Sequence, residues 1–325
     1  MSQDKYTVVS TMKNEAPYII DWVAHYKALG FDDILVCTND CTDQTVEILQ
    51  RLQEMGLVTH HPTIVRGGGI HRSALRQASR RYDIVMDAKW VFVCDVDEYL
   101  NIHIADGSVQ DLVRETDAQA DVISIPWRIF GPNGLKRFKD KSVTQQFTKG
   151  EFEWDAHERP NTGKFVKSLY TNQHKFQRMG LHAPVPLAGQ EADIKWVLPG
   201  GADYVVNGAR TANPPLFEHA QVNHYALRSM DSFLVKRARG RANHSHHVLG
   251  MDYWNRFNLN DERDISINRY ARDANAITAE IKSDAKIADL HAQAVDWHTR
   301  KAGSIRLDPE LSDLVDALSA NMKKA

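Results

Sequence analysis

The chain is poor in cysteine and in long apolar stretches. Its 325 residues include three cysteines, Cys37, Cys41 and Cys94, which cannot all pair and do not resemble a disulfide framework. No apolar run approaches the roughly 20 residues that span a membrane. The first ten residues also lack the basic start and apolar stretch of a secretory signal. We therefore expect a cytoplasmic protein without a transmembrane segment, with peripheral contact at the inner face of the membrane left open.

The chain also lacks an excess of either charge. Forty Lys and Arg residues stand against 42 Asp and Glu, which gives a net charge of −2. No global basic field therefore indicates a nucleic-acid partner. The 25 % charged and 42 % hydrophobic residues are typical of a globular protein, and the length allows one large domain or two.

Strand-like and helix-like segments alternate through the first hundred residues. Gly30 ends the first helical pattern. Runs rich in β-branched and apolar residues predict strands at 6–12, 31–37, 57–61 and 91–93. Alternation of this kind predicts a doubly wound, mostly parallel sheet flanked by helices, with ligands bound at the carboxyl ends of the strands. Beyond residue 228 the spacing becomes helical and predicts a C-terminal helical appendage.

A cluster of carboxylates follows the fourth predicted strand. The apolar run 91–93 ends in Asp95, Val96, Asp97 and Glu98. Strand alternation predicts that Asp95 and Asp97 share one side and that Glu98 points away. Carboxylates this close repel unless a cation or hydrogen-bond donors lie among them, and a hard divalent metal shared with a phosphorylated ligand is a simple solution. The alternative is a solvated acidic turn.

Three other polar turns follow predicted strands in the same way. They are Lys13–Glu15, Asn39–Asp40 and the glycine turn 67–69. Because the carboxyl ends of parallel strands meet at one edge of a sheet, we expect all four turns to line one crevice.

The segments KNEAPYIIDWVAHYKALGF, TNDCTDQT and VFVCDVDEYL, in this order, resemble bacterial family 2-like glycosyltransferases with the nucleotide-diphospho-sugar (GT-A) fold. IPWRIFG and VNHYALRSMDSFLVKRARG resemble one subgroup of them, so the resemblance covers about residues 5–240. It implies a GT-A domain at 1–228, with a nucleotide-binding half at 1–105 and an acceptor half at 106–228. The helical region 229–325 would pack on this domain or form a homodimer.

The resemblance implies a metal-dependent, inverting transfer of a sugar from a nucleotide-sugar, in this case a UDP-sugar. The acceptor would be a hydroxyl of a glycan, glycolipid or protein. Asp95 would lie near the ribose or the metal, Asp97 would bind Mn²⁺ or Mg²⁺, and His224 would be a third metal ligand. A histidine buried for packing is the alternative for His224.

The resemblance also places the nucleotide contacts. These are Lys13, Asn14 and Glu15 in the first turn, Asn39 and Asp40 near the nucleoside, and Arg72 near the diphosphate. A later basic run would cover the diphosphate or an anionic acceptor; its members are Arg228, Lys236, Arg237, Arg239 and Arg241. For most of this run a solvated helix face is the preferred interpretation.

The general base is not fixed by the sequence. Asp155, Glu158 and His182 are candidates, and Asp155 is preferred because it neighbours a tryptophan in a loop-rich stretch; a solvated loop carboxylate is the alternative. Two other functions stay open. One is a catalytically inactive nucleotide-sugar-binding protein, and the other is an aspartate-nucleophile phosphohydrolase.

Overall fold

The computed structural model describes residues 4–66, 69–152, 165–171, 175–204, 206–207, 210–211, 217–240 and 249–322. Its strands are β1 (Tyr6–Met12), β2 (Asp33–Thr38), β3 (Thr59–Pro62), β4 (Trp90–Val93), β5 (Glu98–Ile102), β6 (Val122–Ile129), β7 (Lys149–Gly150), β8 (Val166–Thr171), β9 (Phe176–Arg178), β10 (Val185–Pro186), β11 (Trp196–Val197), β12 (Val206–Asn207), β13 (Arg210–Thr211), β14 (Ala220–His224) and β15 (Glu262–Arg263).

Its α-helices are α1 (Ile19–Ala28), α2 (Thr45–Glu54), α3 (Ile70–Arg81), α4 (Asp83–Met86), α5 (Val109–Thr116), α6 (Val143–Gln146), α7 (Met230–Ala238), α8 (Met251–Phe257), α9 (Ala271–Lys282), α10 (Ala285–Arg306) and α11 (Ser312–Asn321). Helices α3 and α4 are separate, because Tyr82 adopts an extended conformation between them.

The central sheet has the strand order β3-β2-β1-β4-β8-β6-β14-β5, with β11 also paired to β6. β1 is parallel to both β2 and β4, β2 is parallel to β3, and β14 is parallel to β6. β8 is antiparallel to both neighbours, and β5 is antiparallel to β14. The predicted mostly parallel sheet flanked by helices is confirmed.

The position of the site follows from this strand order. The chain builds β1, β2 and β3 in one direction and then crosses, through α3 and α4, to place β4 on the other side of β1. A sheet whose winding reverses in this way has a crevice at the carboxyl ends of the two central strands. The ends of β1 and β4 therefore border this crevice.

The C-terminal helices share the apolar core of the sheet. One cluster of buried side chains extends from Tyr6 in β1 to Met322 after α11, and it includes Ile287 and Ala302 of α10. Helix α10 contacts α2 and α7. Among the described residues, no helix combines the length and apolar character that crossing a bilayer demands. The division at residue 228 stays a prediction.

Shortening Ile287 tests whether α10 belongs to the core. Its side chain is fully buried, so Ile287→Ala is expected to lower the free energy of unfolding by about 2–5 kcal/mol through lost burial and a cavity. Urea unfolding measures this change. Leu307→Ala is the control, since Leu307 is 84 % exposed and its truncation should change stability by at most about 0.5 kcal/mol. Equal effects would contradict a shared core.

Stability should also fall in mild acid because of His25. Its ring nitrogen Nε2 donates to the carbonyl oxygen of Leu100 over 2.8 Å, and burial lowers the pKa of His25 from 6.5 to about 4. Between these two pKa values His25 is protonated in the unfolded chain but neutral in the folded chain. Stability is therefore lost as the pH falls from 6.5 towards 4. The loss is about 3 kcal/mol.

The pH dependence of urea unfolding measures this effect. His25→Gln keeps a donor for Leu100 but does not titrate, so it should flatten the slope over this pH range. An unchanged slope in the variant would assign the acid sensitivity to other groups.

Candidate active site

A cavity of about 460 Å³ lies at the carboxyl ends of β1, β2 and β4. Polar side chains line it on the β1–β2 side, and aromatic side chains line it on the β6 side. Its lining includes Thr11, Thr38, Asn39, Thr63 and His71 on the first side, and Trp127, Phe165, Tyr253 and Phe257 on the second. Asp95 and Asp97 lie between them, so the expected crevice is present.

Lys167 of β8 neutralises the first part of the acidic turn. Its ammonium lies 3.2 Å from Asp95 Oδ2 and 3.1 Å from Glu98 Oε2, and it donates to the Leu181 carbonyl over 2.8 Å. Lys167 and Glu98 are both completely buried. The expectation that Glu98 points away from the pair is wrong, because the Glu98 amide donates to the Asp95 carbonyl and closes a turn, to which strand alternation does not apply.

Burial and these contacts set the charge of each group. Burial would raise the pKa of Asp95, but the Lys167 ammonium outweighs it and the pKa is lowered. Burial raises the pKa of Glu98 to about 8 despite Lys167. Of the two carboxyls beside the Lys167 ammonium, Asp95 is therefore the more acidic and Glu98 the one that takes up a proton more readily.

Asp97 is held by a second lysine, Lys236 of α7. The ammonium donates to Asp97 Oδ2 over 2.7 Å, to the Ala226 carbonyl over 2.8 Å and to the Tyr253 hydroxyl over 3.3 Å. Burial would raise the pKa of Asp97, but Lys236 and His224 outweigh it and hold that pKa well below its ordinary value. Asp97 is therefore an anion that faces the cavity.

Arg228 braces the acidic turn against the first strand-end turn. Its guanidinium donates to Glu15 Oε2 over 3.0 Å and to the Val96 carbonyl over 2.9 Å. It also stacks 3.6 Å from the centre of the Tyr18 ring. Arg239 forms a second ion pair with Glu15. Arg228 has a φ of +54°, a strained backbone that these bonds stabilise.

The structure brings some of the predicted nucleotide contacts into the cavity and leaves others outside it. Lys13, Glu15 and Asn39 line the cavity, and the buried Asn39 Oδ1 has no hydrogen-bond partner in the described part of the chain. Asn14 instead bonds Thr42 through both ends of its amide. Asp40, Arg72 and Arg228 are also absent from the lining; the first two are exposed, and Arg228 acts through Glu15 and Val96.

Of the three candidate bases, the structure describes His182. Its Nδ1 lies 2.9 Å from the Val166 carbonyl and so donates to it, which leaves Nε2 as an acceptor on a side chain that lines the cavity. Burial, reinforced by Lys167, lowers the pKa of His182 to about 4. Asp155 and Glu158 lie outside the described residues.

Asp97 and His224 lie next to each other in the cavity wall. Asp97 Oδ1 lies 3.8 Å from His224 Nε2, and two ligands of one octahedral Mg²⁺ lie roughly 3 Å apart. Within the described ranges no group of three His, Cys, Asp or Glu side chains could hold a metal. Mg²⁺ is typically bound through one or two carboxylates and completes its shell with water and substrate phosphates. Asp97 suits a site of that kind, and the imidazole of His224 would be an additional ligand.

Sequence reasoning missed Lys167 and undervalued Lys236 and Arg239. A fully buried lysine in a strand needs an acidic partner, so Lys167 within the buried run 166–171 was a usable signal. The preference for a solvated helix face is wrong for Lys236 and Arg239, which line the cavity. Nothing in the sequence marks Trp127 and Phe257 as residues of the cavity, since aromatic residues of this kind ordinarily belong to the core.

An α/β sheet with an acidic turn at its switch point is an architecture shared by many nucleotide-binding enzymes. The chain matches the model of glycosyltransferase family 92 over residues 6–237. It belongs to glycosyltransferase family 92, which confirms the expectation of a glycosyltransferase. The likeness to family 2 and to the GT-A fold stays a prediction. Comparison with curated proteins gives no match.

Among solved structures, the chain is similar to TarS from S. aureus. The complex of TarS 1-349 with UDP has 20 % identity and a TM-score of 0.32 over 52 % of this chain and 47 % of that one. A further TarS structure has 17 % identity and a TM-score of 0.32 over 52 % and 28 %. The UDP-GlcNAc complex has 14 % identity and a TM-score of 0.37 over 93 % and 92 %. Scores this low carry no inference about ligands.

Replacing Arg228 tests its role as a brace. Arg228→Lys cannot reach both Glu15 and Val96, so a buried acceptor loses its donor. We expect the free energy of unfolding to fall by about 3 kcal/mol, measured by urea unfolding. Arg272→Lys is the matched control, because the side chain of Arg272 is 92 % exposed. If Arg228→Lys were as stable as Arg272→Lys, the contacts of Arg228 with Glu15 and Val96 would contribute nothing to the free energy of unfolding.

Proposed function

We propose that the protein transfers a sugar from a UDP-sugar to a hydroxyl group of a glycan, glycolipid or protein. The observation that carries this proposal is the anionic Asp97 facing a cavity at the switch point of the sheet, in a chain of glycosyltransferase family 92. The wall formed by Thr38, Asn39 and Thr63 supplies polar atoms for a nucleoside. A GT-A arrangement of the family 2-like kind is part of the same proposal.

The cationic side chains of the cavity suit a diphosphate. Lys13, Lys236 and Arg239 line it on the side of the first strand-end turn. When the bond between sugar and phosphate breaks, the leaving nucleoside diphosphate gains charge, and cations fixed in advance at that place stabilise it. Asp97 and His224 would hold the Mn²⁺ or Mg²⁺ ion of the proposal, which would supply a Lewis acid for the same charge.

An inverting reaction needs one in-line attack by the acceptor hydroxyl and a base that takes its proton. His182 is suited to accept a proton at Nε2, because its Nδ1 proton is committed to the Val166 carbonyl. Its low pKa makes it a weak base. Asp155 and Glu158 therefore stay candidates alongside it.

Calorimetric titration with UDP tests the donor site. We expect UDP to bind in the presence of Mn²⁺, with affinity at least about tenfold lower after EDTA or in Asp97→Asn, because the carboxylate orients both Lys236 and the ion. Asp140→Asn is the control, since Asp140 is half-exposed, pairs with the buried His291 and does not line the cavity. Equal affinity with and without EDTA would contradict the metal, and equal affinity for ADP and GDP would contradict UDP selectivity.

Release of UDP from a panel of UDP-sugars then tests for transfer. The wild-type protein should release UDP from at least one donor, and Asp97→Asn should not. UDP binding without any release, in the presence of hydroxyl acceptors, would favour a catalytically inactive sugar-nucleotide-binding protein.

A further inference from the structure

A basic surface lies beside the cavity. Between Pro62 and Tyr82 the sequence has five arginines and no Asp or Glu, although the whole chain has a net charge of −2. We name this surface the arginine face, and its members are Ile64, Val65, Arg66, Arg72, Arg76, Arg80 and Arg81. All seven side chains are exposed.

The helix and the loop before it form one continuous surface. Helix α3 buries Ser73, Ala74, Leu75 and Ala78, so Arg72, Arg76 and Arg80, spaced four residues apart, share its outer side. The loop is fixed beside the helix. Gln77 donates to the Ile64 carbonyl over 2.6 Å, and the Arg66 amide donates to Ser73 Oγ over 3.0 Å.

The charges of this face are not neutralised by carboxylates within the described part of the chain, although Arg76 donates to the Arg66 carbonyl over 3.2 Å. Across the described ranges, no carboxylate forms an ion pair with any of the five arginines. Like charges four residues apart repel each other, so Arg72, Arg76 and Arg80 weaken their own helix. Ile64 and Val65 are 57 % and 45 % exposed, beside the arginines rather than in the core. This combination indicates an anionic partner with an apolar layer.

We propose that the arginine face docks the protein on an anionic lipid bilayer. The guanidinium groups would bind lipid phosphates, and Ile64 and Val65 would enter the boundary between headgroups and acyl chains. Charge complementarity alone would also fit a nucleic acid. A phosphate backbone, however, gives two adjacent exposed aliphatic side chains nothing to bury against.

Docking in this orientation has a consequence for the acceptor. Thr63, Ile70, His71 and Ala74 line the cavity and lie in the same two segments as the arginine face. The cavity lining and the arginine face therefore lie on opposite sides of α3, one helix diameter apart. A lipid-linked hydroxyl acceptor would fit this placement; this last step rests on the proposed function, whereas the docking does not.

Co-sedimentation with vesicles tests the docking. The full chain should bind vesicles of phosphatidylcholine mixed with phosphatidylglycerol and not vesicles of phosphatidylcholine alone, and binding should weaken as salt is raised. Each arginine near such a surface favours partitioning by roughly fivefold. The double variant R76E/R80E should therefore bind at least about 25-fold more weakly, and I64S/V65S should also bind more weakly.

The matched control reverses two charges elsewhere. Arg272 and Lys301 are exposed on α9 and α10, so R272E/K301E changes the net charge equally and should keep vesicle binding. Unchanged binding by R76E/R80E, or an equal loss in the control, would overturn the proposal. A nucleic-acid partner would also overturn the proposal. In that case the protein would bind a single-stranded RNA tightly, R76E/R80E would abolish this binding, and I64S/V65S would leave both RNA binding and vesicle binding unchanged.

Titration with UDP separates this proposal from the proposed function. None of the substituted residues lines the cavity, so each variant should bind UDP as the wild-type protein does, which also shows that it is folded. Vesicle binding by a protein that fails to bind UDP would uphold the docking and reject the donor. UDP binding without vesicle binding would uphold the donor and reject the docking.

Discussion

The site depends on the compensation of buried carboxylates by cations from distant parts of the chain. Asp95 is neutralised by Lys167 of β8, Asp97 by Lys236 of α7, and Glu15 by Arg228 and Arg239. A buried carboxylate without a partner would cost several kcal/mol or take up a proton. The strand-end turns can keep their charge only because the sheet brings β8 and α7 to the same edge.

This compensation ties the C-terminal helices to the chemistry. Tyr18 packs under Arg228, donates to Ser232 of α7 over 2.7 Å and meets the His298 ring of α10 edge-on, with centroids 5.6 Å apart. Arg228 in turn holds the backbone of the acidic turn through Val96. The cavity wall is thus fixed from behind by α7 and α10. Changes in these helices should reach the acidic turn without any contact with a ligand.

The sequence was sufficient for the sheet and for the place of the site, because both follow from local patterns. An apolar run before Asp95 predicts a strand, and the end of a parallel strand predicts a crevice. The sequence was insufficient for side-chain roles that depend on partners far away in the chain, or on a residue with a positive φ that redirects the backbone. Lys167 lies 72 residues from Asp95 in sequence. Asn14 and Asp40 have φ values of +52° and +46°, so the alternation of the preceding strands does not carry over to their side chains.

Under the proposed function, the charges of the site favour an ion that enters together with its substrate. Lys236 pairs with Asp97, so a divalent cation beside that carboxylate would repel the ammonium at close range. A diphosphate would bring negative charge to the same place, and the Lys236 ammonium could turn towards it. Asp97 and His224 would then be free to hold the ion, and ion and donor would each stabilise the binding of the other.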